Sequence, residues 1–189
     1  MELSDAFSTS NSLLIVFGGL PGTGKTSIAR HLAMRMAAVY LRIDTIEQAL
    51  RASPGVSQPV NEEGYRAAYA VAEENLGLGR NVISDSVNPI QASRDAWVDI
   101  GYRTNARVIE VEVVCTDTES HRRRVETREA DIPGLELPTW ENVLAREYEP
   151  WSRDRIVIDT ARKAIPECVA ELESAIASYL DQSSVRPIL

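Results

Sequence analysis

The chain has 189 residues, of which 44 % are hydrophobic and 25 % charged, proportions of a folded globular protein that exclude global disorder. At roughly 150 residues per domain this length predicts one domain, large enough to hide about 70 % of its unfolded surface. Twenty Lys and Arg against twenty-eight Asp and Glu leave a net charge of −8, without the overall positive field of a protein that binds long nucleic acid through its backbone.

Residues 1–12 are rich in Ser, Thr and Asn and carry Glu2 and Asp5 but no Lys or Arg. The apolar run 13–17 therefore lacks the basic flank of a signal peptide, and it is too short to span a membrane. A cytoplasmic location without a membrane partner is expected. Run 13–17 reads as a buried strand ended by Gly18 and Gly19. Helical spacing follows over 25–37, then a strand over 39–43 and a helix from Thr45 to Ala52. Two prolines and a glycine make 53–60 a loop, and Asn61 is the expected cap of a helix with Tyr65, Ala68, Tyr69, Ala72 and Leu76 on one face. Gly79 ends it, and 82–84 is a short buried strand. A helix over 89–100 leads to a strand over 107–114. Thr116 and Glu119 have capping-box spacing for a helix running to Arg128. The stretch 129–138, with two prolines, a glycine and three acids, predicts an exposed excursion. A helix from Thr139, a strand over 156–158 and an amphipathic helix over 165–180 complete the chain. Five short strands alternating with helices predict an α/β fold with a mainly parallel sheet. The expected organisation is an N-terminal tail (1–12), one domain (13–181) and a C-terminal tail (182–189). Cys115 and Cys168 are too few for a disulfide framework and are read as small core residues.

The first strand runs into Gly19, Leu20, Pro21, Gly22, Thr23, Gly24, Lys25, Thr26 and Ser27, which matches G-x-x-x-x-G-K-[ST] between a strand and a helix. Polyphosphate needs many converging donors, so such a loop turns its backbone N–H groups inward, and the helix that follows adds a favourable field. Lys25 is placed to reach the β and γ phosphates of a nucleotide, and the Thr26 hydroxyl to coordinate Mg²⁺. No N-K-x-D or T-K-x-D guanine-reading motif is present, nor a long apolar strand ending in Asp-Glu. Single acids instead follow two short strands, Asp44 and Asp85, where a parallel sheet borders its ligand crevice.

With these features the chain resembles the small P-loop kinases of the AAA-33 type, the group that includes the polynucleotide kinase domain and relatives of gluconate and adenylylsulfate kinases. The likeness rests on the loop 19–26, on Ile43-Asp44-Thr45-Ile46 with Leu50, and on Ile83-Ser84-Asp85-Ser86 with Asn88-Pro89. It extends to the Arg-rich segment 121–128 and to 156–160. The resemblance implies a three-layer P-loop NTPase fold, a five-stranded parallel sheet flanked by helices, with a mobile lid at about 122–138. It also implies ATP- and Mg²⁺-dependent transfer of phosphate to an acceptor hydroxyl. In such kinases Asp44 orients and deprotonates the acceptor, a role typically worth 10² to 10⁴-fold; its alternative is a helix N-cap. Asp85 holds Mg²⁺ through water, or else binds a nearby backbone N–H. Arg124 and Arg128, four apart, close over ATP, or lie on a solvated helix face; Arg122 and Arg123 are weaker candidates for the same role. The residues after the last strand, Thr160, Ala161 and Arg162, border the adenine in related kinases. His31 and His121 lack metal-ligand partners and are read as surface or packing residues, and Trp97, Trp140 and Trp151 as core anchors.

Relatives often carry Arg three residues beyond the Asp44 position, where this chain has Glu47, with Arg51 one turn on. Glu47 and the acidic balance point away from a nucleic-acid or phosphate-bearing acceptor and toward a neutral or cationic hydroxylated small molecule. Two alternatives are a polynucleotide 5′-hydroxyl kinase and a nucleotide-gated regulatory or toxin-like module.

Overall fold

The computed structural model describes residues 12–55, 60 and 62–184. The elements are β1 (Leu13–Gly18), α1 (Lys25–Met36), β2 (Val39–Arg42), α2 (Ile43–Arg51), α3 (Glu63–Gly77) and β3 (Val82–Asp85). They continue with α4 (Gln91–Thr104), β4 (Arg107–Val114), α5 (Thr118–Thr127), α6 (Trp140–Leu144), β5 (Ile156–Asp159) and α7 (Ile165–Ser184). The five strands form one parallel sheet in the order β2-β3-β1-β4-β5.

An all-parallel sheet is covered on both faces, and for that reason β1 is apolar throughout rather than alternating. Its side chains divide by parity. Ile15 and Phe17 enter a core with Ile28 and Leu32 of α1 and Val169 and Leu172 of α7. Leu14 and Val16 enter the opposite core with Ala68 and Ala72 of α3 and Trp97 of α4. The result is the three-layer α/β arrangement. A small satellite core joins Val125 of α5 to Trp140 and Val143 of α6, with Leu20 packed on it. The crossover from β1 to β2 skips over β3, whereas β4 lies on the other side of β1. The strand order therefore reverses at β1, and the ligand crevice opens at its carboxyl end.

Several boundaries differ from expectation for local reasons. Asp85 is the last residue of β3, in register with Phe17 and Arg42. Ile43 begins α2 rather than ending β2, so Asp44 lies in the first helical turn and caps nothing. The cap of α5 is Asp117, whose carboxylate accepts from the Ser120 N–H at 2.9 Å, while Thr116 is tied to Asp159. Thr139 forms a capping box with Asn142, which starts α6 where expected. Ser12 is buried, with its hydroxyl donating to the Leu76 carbonyl at 3.3 Å, and α7 continues to Ser184. The remaining tail residues and the expected cap at Asn61 lie outside the described residues. Among the described residues no helix is long and apolar enough to cross a membrane.

Candidate active site

The loop between β1 and α1 is braced from several directions. Beneath it, Asn88 donates its amide to the Phe17 carbonyl at 2.7 Å, and the Gly19 N–H donates to the Val87 carbonyl at 3.1 Å. From α5, Nε2–H of buried His121 donates to the Pro21 carbonyl at 2.8 Å, while the ring meets Trp140 edge-on at 5.1 Å. From the end of β5, the buried Thr160 hydroxyl donates to the Thr23 carbonyl at 2.7 Å. Gly22 has a φ of +85°, and a Cβ there would stand 2.5 Å from Cγ2 of Val125. Both the backbone conformation and the close approach of α5 therefore require glycine. Bracing the loop carbonyls outward leaves the first-turn N–H groups of α1, which have no intrahelical acceptor, free to face an anion.

Lys25 is buried at the foot of this loop. Burial pushes its ammonium pKa down, opposed by the charges of Asp85 and Asp44. The Asp85 side chain is only 1 % exposed. Its Oδ2 accepts from the Tyr40 hydroxyl at 2.6 Å, whereas its buried Oδ1 has no partner among the described residues. Burial, followed by the Asp85 charge, raises the Tyr40 pKa and keeps that phenol a donor.

Arg42, at the end of β2, connects the acids. Its Nη1 donates to Asp131 at 2.7 Å, Nη2 lies 3.5 Å from Asp44, and Nε lies 4.0 Å from Asp85. Asp131 also accepts from Arg30 of α1 at 3.0 Å. The hydrogen bond from Arg42 is the main reason that the Asp131 carboxyl is held down at about 2. Burial works against the Arg42 charge, but its carboxylate partners outweigh it and raise the pKa.

The two arginines expected to act together are separated. Arg124 donates from Nη1 to the Thr160 hydroxyl at 2.8 Å and from Nη2 to the Thr160 carbonyl at 2.9 Å, behind the loop. Arg128 follows the end of α5 in extended conformation, so the pair shares no helix face. Its guanidinium lines a large cavity; burial lowers its pKa and its Nε has no partner among the described residues. Arg122 is exposed and paired with Glu126.

That cavity has a volume of about 620 Å³. Lys25, Thr26 and Asp44 line it beside the phosphate-loop sequence, and the segment 135–138 forms part of its wall. Asp44 is 46 % exposed. Glu47 lies one turn further along α2, where burial raises its pKa and a hydrogen bond from Arg51 partly offsets the rise.

The family model for AAA_33, described as an AAA domain, matches residues 14–150. The chain belongs to this family. It is 28 % identical over 164 residues to an adenylyl-sulfate kinase of Synechococcus sp., covering 81 % of this chain and 87 % of that protein. Its fold is similar to that of the Mycobacterium tuberculosis APS kinase CysC in complex with AMPPNP and APS (TM-score 0.65, 18 % identity, 89 % of this chain and 99 % of that one). It is likewise similar to a gluconokinase from Sinorhizobium meliloti (TM-score 0.65, 18 % identity, 93 % and 98 %). These relatives bear out the resemblance to small P-loop kinases and the three-layer fold.

The structure brings Lys25, Thr26, Asp44 and Arg128 together on the wall of this AAA_33 chain's cavity, with Asp85 buried behind them near Lys25. Sequence reasoning overlooked Tyr40, Arg42 and Asp131. Arg42 had a signal, because it ends a strand at the crevice two residues before Asp44. Asp131 had none, since its partner Arg42 is 89 residues away. His121, read as a surface or packing residue, is buried against the loop. Asn88 and Arg94 are structural supports: Arg94 is fully buried and donates to the carbonyls of Glu149 and Pro150. Arg51, one turn beyond Glu47, is paired with it at 3.0 Å.

Proposed function

We propose that the protein is an ATP-dependent phosphotransferase that moves the γ-phosphate of ATP to a hydroxyl group of a small molecule. The observation that carries this reading is the juxtaposition of a braced phosphate loop, a buried acid with one unpartnered oxygen, and an accessible acid at the mouth of a cavity large enough for a metabolite. Lys25 and the loop N–H groups hold the phosphates, and Arg128 stands ready to neutralise charge on the transferred group. Asp44 orients the acceptor hydroxyl and takes its proton as the oxygen bonds to phosphorus and the bond to ADP breaks. Arg42, with Nη2 at 3.5 Å, holds the Asp44 carboxylate at the cavity wall. The unpartnered Oδ1 of Asp85, with the Thr26 hydroxyl, is a hard oxygen donor set that suits Mg²⁺ held partly through water. Bound there, Mg²⁺ supplies neutralisation of phosphate charge. Residues 128–138 act as the lid, fastened by Asp131 to Arg42 and Arg30.

The test is single-turnover transfer from γ-labelled ATP to a metabolite panel. Asp44→Ala is expected to slow transfer by about 10² to 10⁴-fold while nucleotide affinity stays within a factor of two or so. Unchanged transfer by this variant removes Asp44 from the role, and no transfer by the native protein to any hydroxyl compound removes the kinase reading.

A further inference from the structure

Beyond Asp44 the cavity wall has two chemically distinct parts. Glu47 follows Asp44 by three residues on α2, so the two carboxylates are neighbours on the helix, and both line the cavity. Glu47 packs against α3: a Cβ on Gly64 would stand 2.3 Å from its Cγ, so glycine leaves the room this side-chain conformation occupies. Its Oε2 counters the Arg51 cation at 3.0 Å. The other part is apolar and aromatic, made by Tyr65, Tyr69, Ile90, Ala96, Leu135 and Leu137. Tyr69 packs edge-on against the buried Trp97 at 4.6 Å, which fixes that wall.

The other cations around the cavity do not make an anion site at this place. Arg42 is engaged by Asp131, whereas Lys25 and Arg128 stand together at the nucleotide end. Arg66 and Arg146 also line the cavity but are exposed, as are the acids Glu62 and Glu136 that line it with them, and the charge of Arg146 acts on Glu47 itself. Arg51 is engaged by Glu47 and Arg42 by Asp131, so a sulfate, phosphate or carboxylate placed beside Asp44 and Glu47 would compete with carboxylates of the chain for cations that already have partners.

We infer that the acceptor carries no negative charge: it is an uncharged or amine-bearing alcohol with an aromatic or apolar body. Its reacting hydroxyl meets Asp44, a second hydroxyl or ammonium group meets Glu47, and its body lies against Tyr65, Tyr69 and Ile90. This class rests on the phosphotransfer reading above, and it differs from adenylyl sulfate and gluconate, which are both anions.

Three probes with one phenylpropane body test it: 3-phenyl-1,2-propanediol, phenylalaninol and 3-phenyllactate, which differ in the charge beside the hydroxyl. Calorimetry in the presence of AMPPNP and Mg²⁺ is expected to find the diol and phenylalaninol bound at least about tenfold more tightly than phenyllactate, adenylyl sulfate or gluconate. The near-isosteric Glu47→Gln, checked for unchanged thermal unfolding, is expected to weaken phenylalaninol about tenfold and the diol by less than about threefold. Equal or tighter binding of any of the anions, or binding of none of the three probes, overturns the inference. Transfer of label from ATP is followed separately. Transfer to adenylyl sulfate or gluconate alone overturns the acceptor class and leaves the phosphotransfer reading standing. The expected binding order without any transfer overturns phosphotransfer and leaves the class as a description of the ligand.

Discussion

Replacing Thr160 with valine tests the joint between the phosphate loop and α5. The side chain is fully buried; its hydroxyl donates to the Thr23 carbonyl at 2.7 Å and accepts from Nη1 of Arg124 at 2.8 Å. Valine keeps the shape but leaves a buried carbonyl and a guanidinium N–H unsatisfied, each such loss costing about 1–3 kcal/mol. Arg124 retains its bond to the Thr160 carbonyl at 2.9 Å, so its share lies at the low end and the total comes to about 2–4 kcal/mol. In a protein of this size each kcal/mol lowers Tm by about 2–4 °C, which gives a fall of roughly 4–16 °C. Urea unfolding without nucleotide is the assay, with the m-value expected to stay constant. Because Arg124 acts through the same hydroxyl, Thr160→Val and Arg124→Met should be less than additive, with a coupling of about 1 kcal/mol. A loss below about 0.5 kcal/mol, or strict additivity of the pair, refutes the joint.

Further outcomes follow from the same geometry. His121→Ala removes the donor to the Pro21 carbonyl and should raise KM for ATP by about three- to tenfold with a smaller change in kcat, while His121→Gln, which keeps an N–H, should restore part of it. Gly22→Ala forces an L side chain to a φ of +85° against Val125 and is expected to cost more than about 2 kcal/mol; Val125→Ala in the same chain should recover the steric part, read by thermal unfolding. Asp131→Asn tests the pairing with Arg42 and Arg30 through pH. The folded carboxyl sits at about 2 against an ordinary 3.8, so its stabilisation is complete above the ordinary value and is lost as pH falls through about 2. With the side chain 46 % exposed, solvent screening leaves about 1 kcal/mol. The difference between native and Asp131→Asn unfolding midpoints should therefore be full at pH 6 and shrink below pH 4; a constant difference contradicts the charge argument.

Local order made most of the fold legible. The phosphate loop, the apolar strands on either side of the helices and the helix start at Thr139 are each written in a few adjacent residues, and each stands where its pattern places it. Errors arose where a distant contact decided the outcome. Arg124 and Arg128 have ideal helical spacing, yet α5 ends at Thr127, and Thr160, 36 residues on, claims Arg124. A carboxylate following Thr116 at capping distance suggested the wrong cap, because Asp159 ties Thr116 up from the neighbouring strand. Asp131 lies in a stretch with no periodicity, so nothing marked it as the partner of two arginines from different elements. Conversely, Glu47 was legible as a departure in charge, but its fixed position depends on Gly64, a residue that carries no side-chain signal at all.

The distribution of these contacts bears on how the two ends of the site communicate. Leu20 of the phosphate loop packs on the core formed by Val125, Trp140 and Val143, and His121 and Val125 touch the loop at Pro21 and Gly22. The same α5 leads directly into 128–138, which supplies Arg128, Leu135 and Leu137 to the cavity wall. A packed core transmits a displacement rather than absorbing it. The phosphate loop and the cavity wall at 128–138 are therefore joined by one continuous set of contacts through α5. The fastening of that wall through Asp131 ends on Arg42, the residue that also faces Asp44 and Asp85. Arg42 therefore joins the segment 128–138 to both acids of the site, and the fastening of that segment and the setting of Asp44 depend on the same guanidinium.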